Sequence, residues 1–509
     1  MKNSKKTKYN IITGVSGQII TICIGVLLPR LFIINYGSET NGFLSSINSL
    51  ISYLTLLEAG VGTATVQALY GPVARESHNK INEILAATNR FYNRTGAIYA
   101  AIIALLAFTY PLIVPSDLSY VLQAAIIIMV GTGGVLGYLF QAKYKLLLQA
   151  EGKQYVITNI MTAIHVCTSI TKLLCLSIGL GIVYIQAFQL LFVIVQIICF
   201  YIYIYKNYKW LDLKVEPDEK AISQKNSVLV HQISEMVFNH TDVVILTLIV
   251  GDLKVVSVYT LYNMLVDMIS TLIANINTGF EFRLGQLYNT DKKRHEKVFD
   301  IYETYYMAFA FALYTVTYIY LLPFVKLYTS GVTDTNYLLP LLPLLFVSYK
   351  LLVCGRSACG KLSSYAGHFK QTRIHSIIET IINLIVSIVA VIILENKNGL
   401  GIYGVLIGTI AALLFRSNIM VVYANKKILF RSCWKTYKKW ALDIVLALVC
   451  CIVFKTVLPK MNDYYHLIAY AAGTSVLVLA TFFSINALFN IESTKYFFYH
   501  LRIVHKRSA

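Results

Sequence analysis

Three observations predict an all-α polytopic membrane protein of about fourteen transmembrane helices. The 509-residue chain is 57% hydrophobic and only 14% charged, whereas about a quarter of a soluble domain is charged. Apolar stretches of about twenty residues, long enough to cross a bilayer as a helix, recur from end to end. Lysine and arginine crowd into alternate connecting loops, as the positive-inside rule requires.

The first span runs over 9–34 and holds Arg30 inside "VLLPRLFII". No small-residue cleavage site follows it, so a retained helix is expected rather than a signal peptide. Spans at 41–68, 91–114, 120–142, 155–178 and 183–205 complete a first group of six. A polar segment precedes a second six, at 228–250, 255–280, 301–322, 337–358, 374–394 and 402–424. Two more, 441–458 and 465–490, stand beyond. Pro111, Pro115, Pro323 and Pro459 are read as marking span ends. The resulting organisation is a six-helix lobe over 1–205, a linker over 206–227, a second lobe over 228–424, and two added helices with a tail over 425–509.

Lys2, Lys5, Lys6 and Lys8 open the chain, and loops 75–94, 143–153, 206–225, 283–297, 356–373 and 426–439 carry most other cations. Lys495, Arg502, Lys506 and Arg507 add to the tail. The opposite loops hold only Lys254, Lys326, Lys397, Lys455 and Lys460. Both termini are therefore expected in the cytoplasm. The net charge of +19 is then a topology signal, and nucleic acid is not an expected partner. The longest outer loop, 323–336, leaves no room for a catalytic domain. None of the nine cysteines forms a CxxC pair or a zinc-like spacing, so neither metal nor disulfides are expected.

A weak repeat links the two lobes. "KINEIL" (80–85) reappears as "KVFDIY" (297–302), and the pair Gly37 and Asn48 reappears as Gly251 and Asn263, all at offsets of 214 to 217 residues. Two homologous six-helix lobes in pseudo-twofold arrangement are expected, with a transport path between them.

Charged side chains inside spans are costly and tend to face a cavity or a partner. The candidates are Arg30, Glu58, Lys172, Glu235, Asp242, Asp267, Lys350 and Arg416, with His231 beside them. Each has a plainer reading as a structural ion pair, and Arg30 as an anchor snorkelling to headgroups. Lys172 ends a polar stripe of residues 158, 162, 165, 169 and 172, one helix face that needs water or protein opposite it. His231, Glu235 and Asp242 share another face, for which Lys350 and Arg416 are natural partners. "GRSACGKL" (355–362) nearly spells a phosphate-binding loop but has Leu362 where the metal-binding hydroxyl belongs. No constellation of an enzyme appears.

"LLPRLFIINYGSETNGFLSSINSLISYLTLLEAGVGTATVQALY" (27–70) and "NHTDVVILTLIVG" (239–251) resemble the openings of the two lobes in the polysaccharide (oligosaccharide-lipid) flippases of the multidrug/oligosaccharidyl-lipid/polysaccharide exporter superfamily. The resemblance covers the whole chain. It implies a bacterial cytoplasmic-membrane protein moving undecaprenyl-pyrophosphate-linked oligosaccharide to the outer leaflet for capsule or exopolysaccharide assembly. Arg30 and Lys172 would then hold the diphosphate, while Glu58, His231, Glu235, Asp242, Asp267, Lys350 and Arg416 would line the cavity or serve coupling. No cofactor is implied beyond a coupling ion, proton or sodium. Its partners would be the polyprenyl-pyrophosphate-linked glycan, membrane lipids, a polysaccharide polymerase and glycosyltransferases. A cation-coupled drug antiporter, expected to favour an acidic cavity, and a lipid-linked peptidoglycan-precursor flippase would share the fold. A polysaccharide polymerase would need a larger outer loop.

Overall fold

A computed structural model describes the backbone of residues 2–58, 60–221, 226–457, 459, 461–491 and 494–495. Within these, the side chains of 2–15, 18–19, 21–23, 57, 226–232, 234–235, 275–283, 286, 289, 369–370 and 397–398 fall outside the description.

Among the described residues the chain is helical throughout, and eleven helices are long and apolar enough to cross a membrane. The helices are α1 (Lys2–Leu54), α2 (Val61–Ala74), α3 (His78–Ile113), α4 (Tyr120–Leu136), α5 (Ala142–Ala150), α6 (Gln154–Ile178), α7 (Ile182–Asn207) and α8 (Asn226–Ile245). There follow α9 (Leu253–Thr290), α10 (Lys292–Tyr328), α11 (Leu342–Tyr365), α12 (Phe369–Asn398), α13 (Gly401–Tyr423), α14 (Trp434–Val457) and α15 (Tyr464–Phe489). The predicted spans fall on these helices because long apolar segments must satisfy their own backbone hydrogen bonds.

Three local features depart from the expected spans. The first two spans form one run, α1, broken at Gly37 (φ 80, ψ 166). The second span stops at Leu54, passes through a 3₁₀ turn at Thr55–Glu58, and resumes in α2 behind Gly60. Gly60 sits at φ 84, a left-handed conformation a side chain would strain. Pro323 lies within α10 and not at its end, so the following loop starts only after Tyr328. Pro111 likewise falls inside α3, near its end.

The repeat has structural counterparts. "KINEIL" falls in the opening turns of α3, and "KVFDIY" near the start of α10. Gly37 and Gly251 both have positive φ, 80° and 73°. Three π-helical turns interrupt otherwise continuous helices, at Gly137–Gln141, Leu246–Val250 and Ala424–Ile428.

By packing, the chain divides into two compact units, residues 1–257 and 258–509. In unit 1 one apolar core joins Val61, Leu69, Ile84, Leu85, Leu147, Leu148 and Phe200 of α2, α3, α5 and α7. A second joins Phe43, Ile47, Ile126, Ile127 and Ile185 of α1, α4 and α7. The segment after α7 packs onto the start of α3: Trp210 stacks on His78 at 4.0 Å, and Asp218 Oδ2 lies 2.7 Å from Lys80 Nζ.

Unit 2 centres on α10, whose buried residues run from His295 to Tyr328. Helices α12 and α13 touch closely through Gly404 and Gly408. A Cβ on Gly404 would come within 2.5 Å of Val391 N, and one on Gly408 within 2.1 Å of Ser387 Oγ. Small residues four apart let two membrane helices approach to backbone contact.

Candidate functional site

The break between Leu54 and Val61 puts Glu58 in a 3₁₀ turn, off the regular helix surface. There Tyr92 (α3) and Tyr138 (the π turn after α4) stand beside its carboxyl group. Lys145 on α5 is close enough to interact with it electrostatically. The two tyrosine rings stack at 5.8 Å, and Tyr99 packs on Tyr138 at 5.4 Å.

Glu58, Tyr92, Tyr138 and Lys145 wall a cavity of about 870 Å³. Thr55, Thr63, Gln67 and Tyr70, Gln141 and Gln149, and Asn239 and His240 of α8 complete its polar lining. Its wall is thus built of phenols, amides, an imidazole and one ammonium. Among the described lining residues Glu58 is the only carboxylate, and Tyr92, Tyr138 and Lys145 are its neighbours. Such a surface binds through many hydrogen bonds and aromatic faces rather than through a free negative charge.

Lys145 lies five residues before the end of α5, in the segment 143–153 that also holds Lys143 and Lys153. In the sequence it reads as one of several loop cations. The structure carries the helix past the expected end of its span at residue 142, through the π turn, and brings Lys145 onto the cavity wall. The apolar "LLL" that follows it was the only local hint.

A second, smaller cavity of about 220 Å³ lies toward the opposite end of unit 1. Lys172, six residues before the end of α6, lines it with Asn41, Ser45 and Asn48 of α1 and Gln186 and Gln189 of α7. Pro29 and Phe32 flank Arg30 in α1 and line it too; Arg30 is half-buried between them and is not itself a lining residue. The polar stripe of α6 therefore has two environments. A Cβ on Gly17 of α1 would stand 2.8 Å from Thr162 Oγ1 and 3.4 Å from Thr158, so that end is a packed polar interface. The Lys172 end faces a cavity.

Asp242 of α8 is buried, next to Thr241, whose hydroxyl lies 2.6 Å from Tyr53 Oη. Thr247, in the π turn after α8, bonds Ser46 at 2.9 Å, and Tyr110 bonds the same serine at 3.0 Å. The side chains of His231 and Glu235 lie outside the described residues.

The expected cations of the second lobe have partners inside unit 2. Lys350 Nζ pairs with Asp267, which also accepts from Asn263 Nδ2 at 2.8 Å; Tyr349 in turn bonds Asn263 at 2.7 Å. Arg416 Nε stands 3.4 Å from Glu379 Oε2, and Arg356 Nη1 is 2.5 Å from Glu379 Oε1. Expectation had matched Lys350 and Arg416 with carboxylates of α8. The partners are instead Asp267 and Glu379, the latter on the most apolar of the eleven spans. "GRSACGKL" is regular helix within α11, with Arg356 tied to Glu379 and Gly355 pressed on the Trp440 ring, so it offers no phosphate loop.

A cluster not anticipated from the sequence joins α10 to α14. Arg431 reaches Asp300 at 3.1 Å and Glu303 at 2.8 Å, and Lys439 reaches each at 2.8 Å. Thr436 donates to Glu303 at 2.8 Å, and Arg431 Nε to Asn425 at 2.6 Å. Burial works against the Arg431 charge, but the two carboxylates more than offset it and raise the affinity of this loop guanidinium for its proton.

No family model matches the chain, and no curated protein matches it. Solved structures do. A lipid II flippase MurJ in an inward closed conformation aligns with a TM-score of 0.67 at 15% identity, over 94% of this chain and 100% of that one. An inward-facing multidrug resistance MATE family transporter of the MOP superfamily aligns at 0.65 and 14%, over 82% and 98%. A MOP superfamily transporter from Pyrococcus furiosus, described as having a binding pocket of reversed polarity, aligns at 0.57 and 15%, over 82% and 95%. The likeness establishes a shared fold: the chain has the all-helical architecture of these membrane transporters and flippases.

Proposed function

We propose that the chain carries a lipid-linked oligosaccharide, on undecaprenyl pyrophosphate, from the inner to the outer leaflet of a bacterial cytoplasmic membrane, for capsule or exopolysaccharide assembly. The observation that carries this reading is the chemistry of the larger cavity in unit 1. Tyrosine faces and amides suit the hydroxyl-rich surface of a glycan, and Lys145 suits a phosphate oxygen. A drug-cation antiporter calls for an acidic cavity; here the described lining offers a single carboxylate, Glu58, with Lys145 beside it.

Lys145 and Lys172 mark two cationic positions in one unit, the first five residues before the end of α5 and the second six before the end of α6. In the proposed cycle the diphosphate meets Lys145 from the lysine-rich side and passes toward Lys172 and Arg30. The lobes 1–205 and 228–424 rock about the linker 206–227, both termini staying in the cytoplasm. Asp242, His231, Glu235, Asp267, Lys350 and Arg416 are assigned to coupling or pairing, with a proton or sodium ion driving the exchange. A polymerase and glycosyltransferases are the proposed functional partners.

The fold likeness to a lipid II flippase favours one second reading, transport of a lipid-linked peptidoglycan precursor. Reconstituted vesicles separate the readings. Translocation of undecaprenyl-pyrophosphate-linked oligosaccharide in preference to lipid II supports the first, and the reverse preference assigns the second. Movement of neither, together with extrusion of a cationic dye, overturns both.

A further inference from the structure

The last two helices hold a polar pair that the proposed transport site does not use. Asp443 of α14 and Asn486 of α15 are both fully buried. Asn486 Nδ2 donates to Asp443 Oδ1 at 2.7 Å. The other oxygen of each side chain, Asp443 Oδ2 and Asn486 Oδ1, is buried with no hydrogen-bond donor among the described residues. Two orphaned acceptors on two side chains already joined by one bond have a single economical remedy. A proton on Oδ2 turns that oxygen into a donor and gives the amide oxygen a partner.

We infer that Asp443 is a proton-binding site: a neutral carboxylic acid that accepts from Asn486 Nδ2 and donates to Asn486 Oδ1, closing an acid–amide ring between α14 and α15. An ionised carboxylate there would sit in an apolar helix pair with one of its two oxygens unmet, an arrangement proteins avoid. The charge one turn away cannot neutralise it, because Lys439 is committed to Asp300 and Glu303 of α10. Cys359 of α11 faces the same α10–α14 cluster, and α15 contributes the uncharged Asn486.

The location gives the proton a consequence. Asp443 and Lys439 are four residues apart and share a face of α14. Release of the proton would place a new negative charge beside Lys439, in competition with Asp300 and Glu303. The occupancy of this one site is thereby linked to the clamp that fixes α14 on α10.

Infrared difference spectroscopy of the full chain in lipid nanodiscs at neutral pH, wild type against Asp443→Asn, tests the proton directly. A carboxylic-acid C=O band present in wild type and absent in Asp443→Asn is expected. Because an amide keeps one donor and one acceptor facing Asn486, Asp443→Asn should melt with wild type, whereas Asn486→Ala should melt lower. Absence of the acid band overturns the proposal. So does a wild-type melting temperature that rises with sodium at constant ionic strength while that of Asp443→Asn does not, since the orphaned oxygens would then be cation ligands.

Discussion

The ammonium of Lys439 lies 2.8 Å from Glu303 Oε2, and both side chains are almost wholly buried. Asp300 and Arg431 complete a buried set of two carboxylates and two cations at that junction, with the half-exposed Lys435 a further 3.3 Å from Asp300 Oδ1. Breaking a buried pair by removing one partner costs about 3–5 kcal/mol, because the other charge is left uncompensated. Lys439→Met should therefore lower stability by about that amount, read as a loss of folded protein on heating in detergent. Lys439→Met combined with Glu303→Gln should recover part of the loss, since the charge balance returns. Additive losses in the double variant would refute a coupled cluster.

Lys145 and Lys172 should respond differently from the structural cations. Lys145→Ala is expected to reduce glycan-lipid translocation by at least about tenfold, as expected for one charged hydrogen bond lost, while leaving the melting temperature near wild type. Lys145→Arg should retain part of the activity, and Lys172→Arg more, where space permits. Arg30→Lys keeps the charge without the planar two-donor fork, so it should stand between wild type and Arg30→Ala. Unchanged translocation in well-folded Lys145→Ala would remove that residue from the substrate path.

The contact between α12 and α13 makes a steric prediction. A methyl group on Gly408 would meet Ser387 Oγ at 2.1 Å and Ser387 N at 2.5 Å. Overpacking of this kind typically costs about 1–3 kcal/mol. Gly408→Ala should show that loss in thermal melting, whereas Gly473→Ala, with open space around it, should not.

Acid should loosen the segment after α7. Hydrogen bonding to Lys80 holds the Asp218 carboxyl below the usual carboxylate range, with backbone donors adding to the effect. A carboxyl depressed on folding contributes stability above its unfolded value, near 4, and loses it as pH falls through the lower folded value. Amide exchange over 208–221, corrected for the intrinsic pH dependence of exchange, should therefore speed up in that acid range. Asp218→Asn should be fast already at neutral pH and gain little more.

The helices were legible because each needs only an apolar run of sufficient length, and no partner has to be known to read it. Ion pairs were not legible, because they join positions far apart in sequence. Glu379 lies early in a strongly apolar span, and its partners Arg356 and Arg416 come from two other helices. Asp300, Glu303 and Lys439 sit about one to three turns into their helices, at or just outside the edges of the apolar spans, where charge looks like a loop signal. Lys145 was missed for the same reason: its role depends on how far a helix continues, and the apolar pattern bounds that poorly. Glu58 and Lys172 were found because charge deep in a span is costly, and both line cavities.

The π turn at Gly137–Gln141 acts as a phase setter for everything downstream of it. A π turn holds one residue more than the α-helix would, and each α-helical residue advances the surface by about 100°. Excising a single residue from this turn would close it to an ordinary α-helical turn and leave Lys145 and Gln149 facing the cavity, because the wide turn is where the extra residue is absorbed. A residue added beyond it has no such room and would swing Lys145 and Gln149 around the helix axis, out of the lining. A one-residue deletion at Leu139 should thus leave translocation near wild type, whereas an alanine inserted after Gln141 should mimic Lys145→Ala. Cavity chemistry in this chain is set by angular register as much as by side-chain identity.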